Sequence, residues 1–164
     1  MTVGSRGGST AGARFGDVDL DDKSKAIIEA LQHDGRRSYA DIGRDVGLSE
    51  TAVRQRVTRL VENGTMQIVA VTNPLQLGFQ RQAMIGLSVS GDLTTAAASL
   101  EDLPQVDYII ITAGTFDLLV EVVCADDDEL LALLNDIRAL PQVERTETMT
   151  YLKLWDQIYN WGTR

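Results

Sequence analysis

Residues 38–62 read Ser-Tyr-Ala-Asp-Ile-Gly-Arg-Asp-Val-Gly-Leu-Ser-Glu-Thr-Ala-Val-Arg-Gln-Arg-Val-Thr-Arg-Leu-Val-Glu. Ser38 is a good N-cap, because its hydroxyl accepts an orphan amide at a helix start. The helix it opens runs to Val46, with Ala40, Ile42 and Val46 as its inner side. Gly47 ends it where the chain calls for positive φ. Leu48 then plugs the core, and Ser49 opens a second helix that runs to Glu62. Its inner stripe is Ala52, Val53, Val57, Leu60 and Val61, and its outer positions include Glu50, Thr51, Arg54, Gln55, Thr58 and Arg59. Two short helices joined by a tight glycine turn describe a helix-turn-helix. The second of such a pair enters the DNA major groove with its N-terminal residues at the base edges.

That reading gives a DNA-facing set of Ser38, Ser49, Glu50, Thr51, Arg54, Gln55, Arg56 and Arg59. An arginine fork fits guanine and a glutamine fits adenine, so Arg54 and Gln55 are the base readers. Arg56 and Arg59 reach phosphates and fix register. The alternative is a plain three-helix bundle with a solvated arginine face. Upstream, Asp21–Asp34 carries Ala26, Ile27, Ala30 and Leu31 at helical spacing, with Asp19, Asp21 and Asp22 at its start, where acids suit the helix dipole. His33 faces water at the end of that helix. The stretch Met1–Gly16 is rich in Gly, Ser, Thr and Ala and reads as a flexible arm whose Arg6 and Arg14 can brush phosphates.

The charge is placed unevenly. Residues 1–64 hold 10 basic and 10 acidic side chains, and residues 65–164 hold 5 and 14, so the net charge of −9 belongs to the second half. An acidic half is repelled by phosphates and faces away from DNA. One cysteine, Cys124, and one histidine rule out an intrachain disulfide and leave a structural zinc site without ligands. A reducing cytoplasm fits. No stretch of ~20 apolar residues is present to span a membrane.

After Glu62 the pattern changes. Met66–Thr72 is β-rich and reads as a linker strand, broken by Pro74. Four strands are expected at Ala83–Ser90, Val106–Thr112, Phe116–Val123 and Val143–Tyr151. Helical spacing places helices at Thr94–Leu103 and Asp127–Leu140. The order βαββαβ names a ferredoxin-like split βαβ sandwich. The fold class is therefore α+β: an N-terminal helix-turn-helix followed by that sandwich. The expected divisions are an arm at 1–18, the DNA-binding domain at 19–64, a linker strand and hinge at 65–80, the sandwich at 81–155, and a tail at 156–164. The strand segments 108–111 and 118–123 are apolar on both sides, so the face without helices needs a cover, and a homodimer packed sheet against sheet supplies it.

Between the central strands lies Thr112-Ala113-Gly114-Thr115-Phe116-Asp117. Backbone amides near Gly114 can hold a carboxylate, and Asp117 can hold an ammonium. An ordinary hairpin uses the same residue types, and spacing alone leaves both readings open. The acidic run Asp126–Glu129 sits at a helix start, where acids cap, and is read as capping and not as a divalent-cation site. Cys124 lies on a strand beside Val122 and Val123 and reads as inert packing.

Taken together, several segments resemble the Lrp/AsnC family, the feast/famine regulators. They are Leu20–Ile28, Leu31–Arg36, Val46–Ser49, Ala52–Leu60, Pro74–Gly78, Leu103–Val106, Gly114–Glu121, Ile137–Val143 and Thr146–Thr148. The resemblance covers about Asp19 to Trp155. It implies a winged-helix-type DNA-binding domain, a linker strand and a sensor domain that dimerises through its sheet. It implies further assembly into tetramers or octamers, and amino-acid-like effectors at the contact between dimers. Double-stranded DNA, the chain itself and the effector are the implied partners, in a bacterial or archaeal cytoplasm at the nucleoid, with no cofactor. On this resemblance the 112–117 loop is the effector loop, with Asp117 on the ligand amine, loop amides on its carboxylate, and Thr146 and Thr148 as further contacts. Ala113 departs from the Thr or Ser usual there, so a hydroxyl contact is lost. Two other readings share the architecture. One is a tetrapyrrole-decarboxylase-like enzyme, which relies on histidines that the second half lacks, and the other is an assembly module without DNA binding. No catalytic or metal-binding residues are assigned.

Overall fold

The computed structural model describes residues 20–164. The expected arm, with Arg6 and Arg14, and Asp19 at the start of the first helix lie outside the described residues. The chain divides into two units, one of residues 20–70 with 156–164, the other Val71–Trp155. No helix among the described residues is long and apolar enough to cross a membrane.

The first unit is built on three helices, α1 (Asp22–His33), α2 (Tyr39–Val46) and α3 (Glu50–Glu62). Each starts where a side-chain oxygen takes an orphan amide. Asp21 accepts from the Ser24 amide at 2.8 Å, Ser38 from Asp41 at 3.1 Å, and Ser49 from Ala52 at 3.2 Å. Gly47 ends α2 at φ 65° and ψ 44°, a conformation an L side chain resists. Ile27, Leu31, Ile42, Val53 and Val57 form the core, with Tyr39, Val46, Leu48 and Met66 packed against it. Two inner positions differ from expectation. Ala40 is exposed and Gly43 is buried in its place. Helix α2 lies so close to the following turn that a Cβ on Gly43 would sit 2.5 Å from the Leu48 carbonyl oxygen. Val61 is 43% exposed, because it falls beyond the stripe of Val53, Val57 and Leu60. Within this unit the C-terminal residues reach α1: the Gly162 amide donates to Gln32 Oε1 at 3.1 Å, and the Thr163 hydroxyl donates to Glu29.

The expected linker strand at Met66–Thr72 is not formed. Those residues pair with no strand among the described residues, and Ile68, Val69 and Val71 are exposed. β-propensity prepares a segment for a ladder, but a strand needs a neighbour for its amides and carbonyls. One 3-10 turn follows at Pro74–Gln76, capped by Asn73, and Gly78 turns the chain at φ 98°.

The second unit runs β1 (Arg81–Val89), α4 (Leu93–Glu101), β2 (Val106–Ile111), β3 (Leu118–Cys124), α5 (Asp127–Arg138) and β4 (Val143–Thr150). The sheet order is β2-β3-β1-β4, antiparallel at every pair, which is the expected ferredoxin-like sandwich. Period-two alternation puts Ala83, Ile85 and Leu87 on one face, opposite Val122, Val120 and Leu118. Helices α4 and α5 close that face with Ala96, Leu100, Leu130, Leu133 and Ile137. Fully burying each large aliphatic chain stabilises by about 1.5–3 kcal/mol. Asp126 caps α5 by accepting from the Glu129 amide at 2.9 Å, and Asp127 takes the Arg81 guanidinium, with Nη2 to Oδ2 at 2.7 Å. That pairing lowers the Asp127 pKa and raises that of Arg81. Cys124 is fully buried, and burial pushes its thiol up to about 11. The other sheet face carries no helix. By register it presents Met84, Tyr108, Ile110, Leu119 and Met149, of which Tyr108 and Met149 are exposed.

Candidate nucleic-acid interface and effector loop

Helix α3 projects Glu50, Thr51, Arg54, Gln55, Thr58 and Arg59 into solvent. Arg54, Gln55, Thr58, Arg59 and Glu62 line an open groove along it. The sequence-predicted residues fall into three groups. Ser38 and Ser49 spend their hydroxyls on the helix caps. They fix where α2 and α3 begin, and both residues are exposed. Arg54 is held over the helix surface: its Nη2 donates to Glu50 Oε1 at 2.8 Å, and the guanidinium lies 5.2 Å from the Tyr39 ring centroid. An exposed i,i+4 pair of this kind contributes under about 1 kcal/mol, so a phosphate or guanine edge competes with it readily. Thr51, Gln55 and Arg59 are exposed and make no side-chain hydrogen bond to another described residue.

Arg56 stands apart. Its Nη1 donates to Asp21 Oδ2 at 2.7 Å, to Asp21 Oδ1 at 2.8 Å and to Ser24 Oγ at 2.9 Å. Ser24, on α1, is 8% exposed, a buried polar residue. Hydrogen bonds from Ser24 and then from Arg56 hold the Asp21 carboxyl at about 2. Sequence reading treated Asp21 only as an acid that suits the α1 dipole, and nothing in the spacing ties residues 35 apart. It also missed Tyr39 as the plate beneath Arg54.

In the second unit the 112–117 loop is tied at both ends. The Thr112 amide donates to the Asp117 carbonyl at 2.9 Å, the Thr112 hydroxyl to the Phe116 carbonyl, and the Asp117 amide to the Leu87 carbonyl at 2.9 Å. The Asp117 carboxylate accepts from the Val89 amide through Oδ2 at 2.9 Å. Between these ties Ala113, Gly114 and Thr115 are exposed, and their amides donate to no described residue. The turn does not depend on glycine at Gly114: φ there is not positive, and a Cβ would meet nothing within 4 Å. Glycine is required instead at Gly86 on β1. The Phe116 ring lies flat on it, and a Cβ there would be 2.7 Å from ring atoms. A glycine inside an apolar strand is the sequence signal for such close approach. The Arg145 guanidinium stands 5.6 Å from the centroid of the same ring.

The remaining candidates do not join this cluster. Thr146 and Thr148 pair with Leu87 and Ile85, so their side chains share the helix-covered face. Thr146 accepts there from Arg138 Nε at 3.0 Å. Phe116 lies on the opposite face, over Gly86. Among the described residues no group of three His, Cys, Asp or Glu is placed to hold a metal ion.

Comparison with known proteins adds to this geometry. Residues 20–61 match the AsnC-type helix-turn-helix domain, and residues 82–158 match the Lrp/AsnC ligand binding domain. The HTH-type transcriptional regulator FL11 of Pyrococcus horikoshii is 33% identical over 138 residues, covering 83% of this chain and 91% of its own. The leucine response regulatory protein LrpA of Mycobacterium tuberculosis superposes with a TM-score of 0.76 at 29% identity, covering 84% and 96% of the two chains. A transcriptional regulator from Neisseria meningitidis, solved as a complex with L-Met, superposes with a TM-score of 0.71 at 23% identity over 86% and 95%.

Proposed function

This chain belongs to the Lrp/AsnC family of transcriptional regulators, and on that footing we propose that it reads DNA through α3 and answers to a small molecule of the amino-acid class at the 112–117 loop. The observation that carries the DNA reading is the outer face of α3. Its exposed Thr51, Gln55 and Arg59 have no hydrogen-bond partner among the described residues, and Arg54 is held there by an exposed pair with Glu50 over the Tyr39 ring. Gln55 and Arg54 read base edges. Arg59 takes a phosphate and sets register.

For the effector, the free amides of Ala113, Gly114 and Thr115 supply donors for a carboxylate. Asp117 commits Oδ2 to the Val89 amide and leaves Oδ1 for an ammonium. Thr146 and Thr148 drop out of the ligand set, because they face α5. The relative bound to L-Met shows that this fold takes an amino acid in that protein. The open sheet face, with Tyr108 and Met149 exposed, is covered by a second copy in a homodimer. Dimers assemble further into tetramers or octamers, in the cytoplasm, at the nucleoid. An effector that stabilises one assembly changes the spacing of recognition helices, and so which DNA half-sites are engaged together.

Thermal unfolding against each of the twenty amino acids tests the sensor. A ligand at a hundredfold over its dissociation constant stabilises by about 2.7 kcal/mol. Asp117→Asn keeps an acceptor for the Val89 amide and removes the charge, so it should abolish the shift. Absence of any shift would return the loop to an ordinary hairpin.

A further inference from the structure

We propose that Arg56 is a positioning residue and not a phosphate contact: together with Asp21 and Ser24 it clamps the recognition helix α3 to the N-terminus of α1. The proposal rests on the DNA reading above and deepens it.

Three observations carry it. First, Arg56 Nη1 is directed at three oxygens of α1 and its cap, at 2.7, 2.8 and 2.9 Å, and its side chain is half-buried, whereas Arg54 and Arg59 are exposed. Releasing it to a phosphate would leave the Ser24 hydroxyl, on a buried residue, with one fewer partner. Second, Asp21 has two roles at once. It caps α1 by accepting from the Ser24 amide at 2.8 Å, and it receives Arg56 with both oxygens. The clamp is therefore anchored to a helix end with a fixed position. Third, apolar packing between α1 and α3 rests on Ile27, Leu31, Val53 and Val57, which hold the helices together but slide more readily than directional bonds. The bonds from one guanidinium nitrogen to the Asp21 carboxylate and the Ser24 hydroxyl fix the rotation of α3 about its axis, and that rotation decides where Thr51, Gln55 and Arg59 point.

The two roles give opposite predictions for Asp21. If Arg56 served DNA, Asp21 would be an acid beside the interface, and neutralising it would strengthen binding. If Arg56 positions α3, neutralising Asp21 weakens sequence-specific binding although a negative charge has been removed.

The test uses the full chain and two duplexes: one enriched from a random pool by the wild-type protein, and a scrambled duplex of equal length. Affinities are measured by fluorescence anisotropy over a range of salt concentrations. Asp21→Asn retains a competent N-cap. It should lose severalfold in affinity for the enriched duplex and keep its affinity for the scrambled one. Arg56→Met should do the same, with the slope of log affinity on log salt unchanged. Arg59→Met should lower that slope by about 0.9, the signature of one lost phosphate contact. The proposal is overturned if Arg56→Met lowers the salt slope as Arg59→Met does, or if Asp21→Asn tightens binding. A wild-type protein that enriches no duplex would overturn the DNA reading itself. Circular dichroism of each variant separates loss of fold from loss of position: a folded Asp21→Asn protein with undiminished specificity overturns the clamp.

Discussion

Replacing Gly43 by alanine tests how the two helices of the DNA-binding motif are held together. In an open helix interior this change stabilises by about 1 kcal/mol, because alanine loses less backbone entropy than glycine. Here the added Cβ would lie 2.5 Å from the Leu48 carbonyl oxygen, about 0.5 Å inside the 3.0 Å that real Cβ contacts respect. The obstacle is backbone, so no side chain can swing aside. Relief requires α2 and the turn to separate, and the same separation stretches the Leu48 amide bond to the Gly43 carbonyl, now 2.8 Å. Overpacking costs about 1–3 kcal/mol, and a weakened hydrogen bond adds up to about 1 kcal/mol. After the helix-propensity gain of about 1 kcal/mol, a net loss of up to about 3 kcal/mol remains. In a unit of this size each kcal/mol lowers Tm by about 4–8 °C. Gly35→Ala is the control, since its Cβ would meet only the Leu31 carbonyl oxygen at an ordinary 3.8 Å. Thermal unfolding followed at 222 nm should show Gly43→Ala melting well below both wild type and Gly35→Ala. Equal melting of the two variants would refute the reasoning.

Gly86→Ala should displace the Phe116 ring, which lies where the new Cβ must go. Chemical-shift changes should then run through residues 112–117 and Arg145 while the sheet register survives, and an unshifted Phe116 would count against the stacking. Asp21 is held at about 2, below the ordinary carboxylate value near 3.9 of an unfolded chain, so its contribution to stability is present above about pH 4 and is lost as pH falls toward 2. The Tm gap between wild type and Asp21→Asn should therefore narrow below pH 4, and a gap constant from pH 6 to pH 3 would contradict the pairing. Cys124 is fully buried with its thiol raised to about 11, so iodoacetamide at pH 8 should label the unfolded chain promptly and the native chain only at the rate of opening. Prompt labelling of the native protein would show that β3 is not packed as described.

The sequence exposed what depends on neighbours along the chain. Ser38, Ser49 and Asp126 announced helix starts, and Gly47 announced a stop, because capping is a contact across three or four residues. The alternation in residues 83–87 and 118–122 announced two faces and, with the helix spacing, the sandwich. What stayed hidden depends on distant contacts. Arg56 looked like any outer arginine until folding set it against Asp21 and Ser24, 35 and 32 residues earlier. Ala40 was given an inner place because it lies on the apolar side of α2, yet the close approach to Leu48 gave that place to Gly43. Met66–Thr72 has the composition of a strand but no partner strand among the described residues. Thr146 and Thr148 were grouped with the 112–117 loop by resemblance alone, and strand register places them on the face covered by α5.

The central claim is that α3 carries the DNA contact, and binding of the full chain to a random-sequence duplex pool tests it most directly. Fluorescence anisotropy at low salt should show tight binding that falls steeply as salt rises. A chain with Thr51→Ala, Gln55→Ala and Arg59→Ala together should remain folded, since none of the three is part of the core, and should lose affinity together with about 0.9 of the slope of log affinity on log salt, the share of the one phosphate contact removed. Wild-type binding that the triple variant leaves intact, or no binding at any salt concentration, would contradict the account.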